Sequence, residues 1–133
     1  MTKAGNLAAY YAGISYLRLG EYENAVDYLK KFSADDKIIT PLATGAIGDA
    51  YVELDRTEDG AAQYMKAARE SDNKFTAPYF LKKAGLAYEK AGDPGKAVDC
   101  YEEIKKEYPD AQEAQDLDKY LYRAKASAGE LEF

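Results

Sequence analysis

The sequence predicts an all-α fold: an α-solenoid of three helix-turn-helix repeats closed by a C-terminal capping helix. Three observations carry this reading. A landmark of glycine followed three residues later by tyrosine recurs at residues 13, 48 and 85, intervals of 35 and 37 residues. Each landmark is followed at matching spacing by a turn segment, a small residue and a bulky one. After the third unit, an apolar stripe at helical spacing occupies one side of the segment 110–127, with charged residues on the other.

The first repeat, about residues 6–40, reads Ala12-Gly13-Ile14-Ser15-Tyr16, then Gly20-Glu21-Tyr22, then Ala25, Leu29 and Phe32. The second, about 41–77, reads Ile47-Gly48-Asp49-Ala50-Tyr51, then Asp55-Arg56-Thr57, then Gly60, Tyr64 and Ala67. The third, about 78–109, reads Ala84-Gly85-Leu86-Ala87-Tyr88, then Gly92-Asp93-Pro94, then Ala97, Tyr101 and Ile104, ending at Pro109. A mid-helix glycine costs about 1 kcal/mol relative to alanine, so Gly13, Gly48 and Gly85 require compensation. Close approach to the small residue of the second helix (Ala25, Gly60, Ala97) is the expected one, with Tyr16, Tyr51 and Tyr88 filling the space beside it. Thr40-Pro41 and Asp93-Pro94 each read as a capping side chain before a proline at the first helical position. Asp110 with Glu113 reads as a capping box opening the last helix over about 110–127. On that helix Ala114, Leu117, Leu121 and Ala124 share one face, Gln115, Asp116, Lys119 and Arg123 look outward, and 128–133 is a tail. A helix with one polar face is what closes the open end of a repeat array.

Composition narrows the function. The 133 residues hold 18 Lys and Arg against 24 Asp and Glu, a net charge of −6, with no His and a single Cys. Without His, general acid–base chemistry needs a strongly displaced carboxylate, Lys or Tyr, so an enzyme built on a carboxylate pair is the remote reading. Metal binding through imidazole or paired thiolates is excluded, no cofactor site is expected, and the basic stripe that nucleic acid demands is absent. Cys100 has no disulfide partner and leaves the redox compartment open. No apolar run approaches the ~18 residues of a membrane span, so no membrane contact by these residues is expected.

The Gly–Tyr–Ala–aromatic–Pro pattern resembles the tetratricopeptide repeat (TPR), a helix-turn-helix unit of 34 residues, and the resemblance covers about residues 6–111. It implies a right-handed superhelix that binds proteins. Gly60 stands where the pattern has alanine and is expected to weaken the middle repeat. Phe32 and Ile104 stand at a second alanine position and are expected to widen the gap between units.

The first helix lacks a polar face: from Leu7 to Leu17 the only plainly polar side chain is Ser15. A helix apolar all round is expected to be covered. The expected cover is a preceding segment outside this chain; a second copy, making a homo-oligomer, and a partner protein are the other readings. Gly5-Asn6-Leu7-Ala8-Ala9-Tyr10-Tyr11-Ala12-Gly13, with Phe32, Asp118-Lys119-Tyr120-Leu121 and Arg123-Ala124, is similar to the C-terminal part of bacterial envelope TPR proteins of the ancillary translocon-subunit type. That similarity implies a membrane anchor outside this chain and repeats facing the periplasm; a cytoplasmic location is the alternative.

In TPR arrays the first helices of the hairpins line a concave groove. The family pattern and the helical spacing assign to it Leu7, Tyr10, Ile14 and Leu17, then Leu42, Gly45, Asp49 and Val52, then Tyr79, Lys82, Leu86 and Glu89, with Glu53 and Lys90 at the rim. A surface apolar at one end and charged at the other suits an amphipathic helix or an extended peptide of a partner protein. TPR modules that clamp a terminal carboxylate use Lys, Asn and Arg along these helices; here only Lys82 matches, which argues against that activity. Lys82-Lys83 reads as a solvated pair with some potential to meet an acidic partner, and Cys100 reads as inert packing. Asp35-Asp36 and Glu102-Glu103 lack the ligand spacing of a calcium loop.

Overall fold

The computed structural model describes residues 2–71 and 73–131. Its helices are α1 (Lys3–Arg18), α2 (Tyr22–Lys31), α3 (Ile39–Glu53), α4 (Thr57–Glu70), α5 (Thr76–Lys90), α6 (Pro94–Glu107) and α7 (Leu117–Ala128), with one 3₁₀ turn at Gln112–Ala114. Consecutive helices pair as hairpins, and the second helix of each hairpin packs on the next element, α2 on α3, α4 on α5 and α6 on α7. The described residues are helical or irregular, with no strand among them. The architecture is therefore the all-α solenoid of three hairpins and a terminal helix.

Each hairpin turns in the same way. The landmark tyrosine carbonyls accept from a backbone N–H five residues on: Glu21 to Tyr16 at 2.9 Å, Arg56 to Tyr51 at 2.8 Å, Asp93 to Tyr88 at 2.8 Å. This wide turn needs a left-handed residue just before the donor. Gly20 (φ 78°) and Gly92 (φ 82°) supply it, and Asp55 (φ 60°) does so in the middle hairpin, where aspartate is among the few side chains that tolerate the conformation.

The glycine landmarks work differently from the expectation. A Cβ on Gly13 would lie 2.5 Å from Leu29 Cγ, and one on Gly48 or Gly85 would lie 2.7 Å or 2.5 Å from a ring carbon of Tyr64 or Tyr101. The missing methyl thus makes room for the bulky residue of the second helix, one turn beyond the small one. Only in the middle hairpin do two glycines meet, Gly60 lying against the carbonyl of Gly48.

Two apolar clusters share the core. One joins Ala25, Val26 and Leu29 of α2 to Ala43, Ala46, Ile47, Ala50 and Tyr51 of α3, with Ile14, Tyr16 and Leu17 of α1 against it. The other runs from α4 to α7 and includes Tyr64, Phe80, Leu81, Tyr88, Tyr101, Ile104, Leu117 and Leu121. Cys100 is buried there with Sγ 3.5 Å from Met65 Sδ, and burial pushes its thiol up to about 12, which leaves it protonated and unreactive at neutral pH.

Of the three helix starts expected from the sequence, one holds and two are corrected. Asp93 does cap α6, accepting from the Lys96 N–H, with Pro94 first in the helix. Thr40 does not cap α3, which begins at Ile39. Asp36 Oδ1 instead accepts from the N–H groups of Ile38 and Ile39 at 2.8 and 2.7 Å, while the Thr40 hydroxyl bonds back to the Asp36 N–H and the Ala34 carbonyl. The same device recurs one repeat later, where Asn73 Oδ1 accepts from Phe75 and Thr76. The last helix begins at Leu117, not at 110, because Asp116 is left-handed (φ 57°) and no right-handed helix passes through that conformation. Leu117, Leu121 and Ala124 are buried as expected, whereas Ala114 sits in the 3₁₀ turn ahead of the helix. At the other end of the chain, the Thr2 side chain accepts from the Gly5 N–H and caps α1.

Candidate functional site

The first helices α1, α3 and α5 carry the residues expected to line the groove, and the structure sorts them into three groups. Leu42, Tyr79 and Leu86 stand open to solvent, at 39%, 45% and 40% exposure. Leu7, Tyr10, Ile14 and Leu17 are half-buried; the Tyr10 ring lies 5.9 Å from that of Phe32, and Ile14 and Leu17 lean on the α2–α3 core. Two positions turn away from the groove. Val52 packs toward α4, where a Cβ on Gly60 would lie 2.6 Å from its Cγ2, and Gly45 is buried beneath Phe80.

The acidic members are already engaged. Asp49 accepts a hydrogen bond from the Tyr64 hydroxyl and one from Lys83 Nζ at 2.7 Å. Glu89 accepts from the Tyr101 hydroxyl at 2.6 Å and from Arg123 Nε and Nη2 at 2.8 and 2.7 Å. Both arrangements have the same parts: a carboxylate on the first helix of a hairpin, a tyrosine from its second helix, and a cation from the following unit. Burial lowers the Lys83 pKa, but the bond to Asp49 more than reverses this and holds the ammonium above its ordinary value. Burial raises the Tyr64 and Tyr101 hydroxyls, and the neighbouring carboxylates raise them further. Burial also raises Glu89, yet the bonds from Arg123 and Tyr101 dominate and hold its carboxyl below the usual range.

Sequence reasoning missed Tyr64, Lys83, Tyr101 and Arg123 as groove residues, although a signal was present. Lys83 lies 34 residues after Asp49, Arg123 lies 34 after Glu89, and on the second helices Glu103 pairs with Arg69 across the same 34 residues. Opposite charges one repeat length apart mark facing positions on neighbouring units. In the first hairpin Leu29 replaces the tyrosine and no carboxylate occupies Ile14 or Leu17, so that unit meets the next through apolar contacts.

Because Glu89 ionises more readily folded than unfolded, its contribution is complete above the ordinary carboxylate pKa and is lost as pH falls through the folded value. The native chain is therefore expected to lose stability between about pH 5 and 3, and a Glu89→Gln chain to lose less over the same interval. Urea unfolding across that range reads this directly; parallel acid limbs for the two chains would show that Glu89 gains nothing from its partners.

Beyond these pairs, α5 and the 112–120 segment enclose a hollow of about 500 Å³ lined by Tyr79, Lys82, Leu86, Lys119 and Tyr120 among others. Lys82 Nζ lies 4.8 Å and Lys119 Nζ 5.1 Å from the Tyr120 ring centre, and neither makes an ion pair among the described residues. No group of three or more His, Cys, Asp or Glu is arranged to hold a metal ion, and no helix is long and apolar enough to cross a membrane, among the described residues.

Repeated helical hairpins stacked with charge pairs one period apart define a helical-repeat protein, a class whose function lies in its surfaces. Residues 7–36 and 81–111 match the model of the tetratricopeptide repeat. The chain is also 34% identical over 101 residues to a TPR repeat-containing protein of the archaeon Methanocaldococcus jannaschii, a match covering 76% of this chain and 17% of that protein. This chain carries tetratricopeptide repeats, and its fold is the TPR α-solenoid. It spans about a sixth of the relative's length. TPR repeats are in general modules for binding other proteins, and proteins built from them are typically non-catalytic. The middle hairpin, between the two matched segments, is where Gly60 departs from the pattern.

Proposed function

We propose that this chain is a non-catalytic interaction scaffold that holds a helix or extended segment of a partner protein along α1, α3 and α5. The observation that carries the reading is the contrast between open apolar side chains and satisfied charges. Leu42, Tyr79 and Leu86 are exposed, while Asp49 and Glu89 between them are neutralised in place. A strip of that kind gains from burying apolar area without desolvating unpaired carboxylates. Glu89 is displaced downward, opposite to what a general acid at neutral pH needs, which supports binding over chemistry.

The test places a photo-reactive benzoylphenylalanine at Leu86 or at Asp27 on the exposed side of α2 and crosslinks in whole cells. A partner joined through position 86 and not 27, and lost when Leu42→Glu is added, is the expected result. Equal crosslinking from both positions would remove the groove assignment. A bacterial envelope location, through an anchor outside these residues, is part of this proposal and rests on the likeness of residues 5–13, Phe32, 118–121 and 123–124 alone. The compartment of the captured partner tests it, and a cytosolic partner counts against it.

A specific observation favours self-association as a second reading. Ala8, Tyr11 and Ser15 of α1 are exposed, whereas the positions matching them on α3, Ala43, Ala46 and Ala50, are buried against the preceding hairpin. If a second copy covers this face, the mass measured by sedimentation equilibrium rises with concentration, and Tyr11→Glu abolishes the rise. A constant monomer mass up to millimolar concentration rejects it.

A further inference from the structure

Beside the groove hollow, the loop edge of the solenoid carries a second surface. Ile38 and Phe75 hold the same place at the starts of α3 and α5, each fixed by an aspartate or asparagine side chain two residues earlier, and both project into solvent, at 71% and 75% exposure. Phe75 borders a cavity. The loop after α6 lies beside it, and the two border a cavity of about 540 Å³, whose lining includes Phe75, Tyr108, Pro109, Glu107, Asp110 and Glu113. That volume lies within the range of ligand-sized sites and accommodates one or two side chains.

The charge of the cavity identifies its occupant. Glu107, Asp110 and Glu113 make no ion pair or side-chain hydrogen bond among the described residues, and Lys74 is the one cation in the lining. Asp49, Glu89 and Glu103 each pair with a cation 34 residues away, and these three acids do not. Asp110 shows the difference most clearly. It follows Asn73 by the same 37 residues that separate Asn73 from Asp36, and those two spend their side-chain oxygens on the next helix start. At Asp110 the chain makes a 3₁₀ turn instead, and the carboxylate stays unused in the cavity lining. The three carboxylates are not grouped closely enough to hold a metal ion. A lining that joins aromatic rings to unpaired carboxylates suits a planar cation, whose face stacks on a ring while its N–H groups reach the carboxylates, in place of the Lys74 ammonium that now lies 6.0 Å from the Phe75 ring centre.

We propose that this cavity receives an arginine side chain from a basic segment of another protein, at a site that adjoins the groove hollow and shares Gln112 and Glu113 with it. The partner is a protein segment, not a nucleic acid, since the carboxylates repel phosphate.

The probe is a blocked five-residue peptide, acetyl-Ala-Arg-Leu-Arg-Ala-amide, titrated into the ¹⁵N-labelled chain, with the matching Glu-for-Arg peptide as control. The arginine peptide is expected to shift the amides of Lys74, Phe75 and residues 107–113, and the glutamate peptide to leave them in place. Neutralising the carboxylates (Glu107→Gln/Asp110→Asn/Glu113→Gln) is expected to weaken binding about tenfold, and raised salt to weaken it further. Phe75→Ser, a change at an exposed position, is expected to weaken it severalfold while leaving the spectrum otherwise native. Equal shifts with both peptides, shifts confined to Tyr79 and Leu86, or none at millimolar peptide would each overturn the proposal. So would binding that survives both variants, provided their spectra show them folded.

Discussion

Replacing Tyr101 by alanine is expected to lower the unfolding free energy by about 3–5 kcal/mol, the largest loss from any single truncation in this chain. Tyr101 is completely buried, its ring fills the space left open by Gly85, and its hydroxyl donates to Glu89, which also holds Arg123 of α7. Alanine removes the ring contacts, opens a cavity beside a glycine that cannot fill it, and loosens the carboxylate that ties the terminal helix to the array. Tyr101→Phe keeps the ring and removes only the hydroxyl, so a loss of about 1 kcal/mol is expected. Urea midpoints for the three chains, with hydrogen exchange in α7, measure both effects. A loss below about 1.5 kcal/mol for Tyr101→Ala would mean the third hairpin repacks around the gap.

Gly60→Ala is expected to destabilise the chain by about 1 kcal/mol, and Gly60→Val by about 3 kcal/mol, although helix propensity favours both changes over glycine. The new Cβ would lie 2.6 Å from Val52 Cγ2 and 2.9 Å from the Gly48 carbonyl oxygen. The valine methyl can rotate, but the carbonyl belongs to the α3 backbone, so α3 and α4 must separate. The gain of about 1 kcal/mol in propensity is outweighed by overpacking of about 1–3 kcal/mol. Thermal unfolding decides the matter by sign alone. An alanine chain more stable than the parent would restore the reading of Gly60 as a defect in the middle repeat.

That reversal shows where the sequence was legible. The hairpins, their turns and the buried side of α7 were readable because glycine, tyrosine and aspartate recur at fixed intervals, and one chain supplies its own comparison three times. Gly60 was misread because a pattern records which residue is usual at a position, whereas the cost of a residue depends on how far two helices have closed. Asp110 misled for a related reason. Its spacing to Glu113 suits a capping box, but helix α7 is placed by Leu117 and Leu121 seeking the α6 face, and the left-handed Asp116 sets its start. In the groove, the family pattern and the helical spacing picked out Leu42, Tyr79 and Leu86, which are open to solvent, and also Asp49 and Glu89. It could not show that those two acids are occupied, because their partners lie a whole repeat away.

The charge pairs one period apart give the junctions they cross a polarity. From the second hairpin to the third, the first helices present acid then cation, Asp49 to Lys83, while the second helices present cation then acid, Arg69 to Glu103. Such a junction works like a keyed connector, which mates in one order and rejects the reverse. Moving the third hairpin ahead of the second would set Asp49 and Lys83 on faces that no longer meet, and would strand Arg69 and Glu103 in the same way. These repeats are therefore not interchangeable beads. A lineage that lengthens such an array is constrained to copy neighbouring units together, so that every duplicated acid arrives with its own cation.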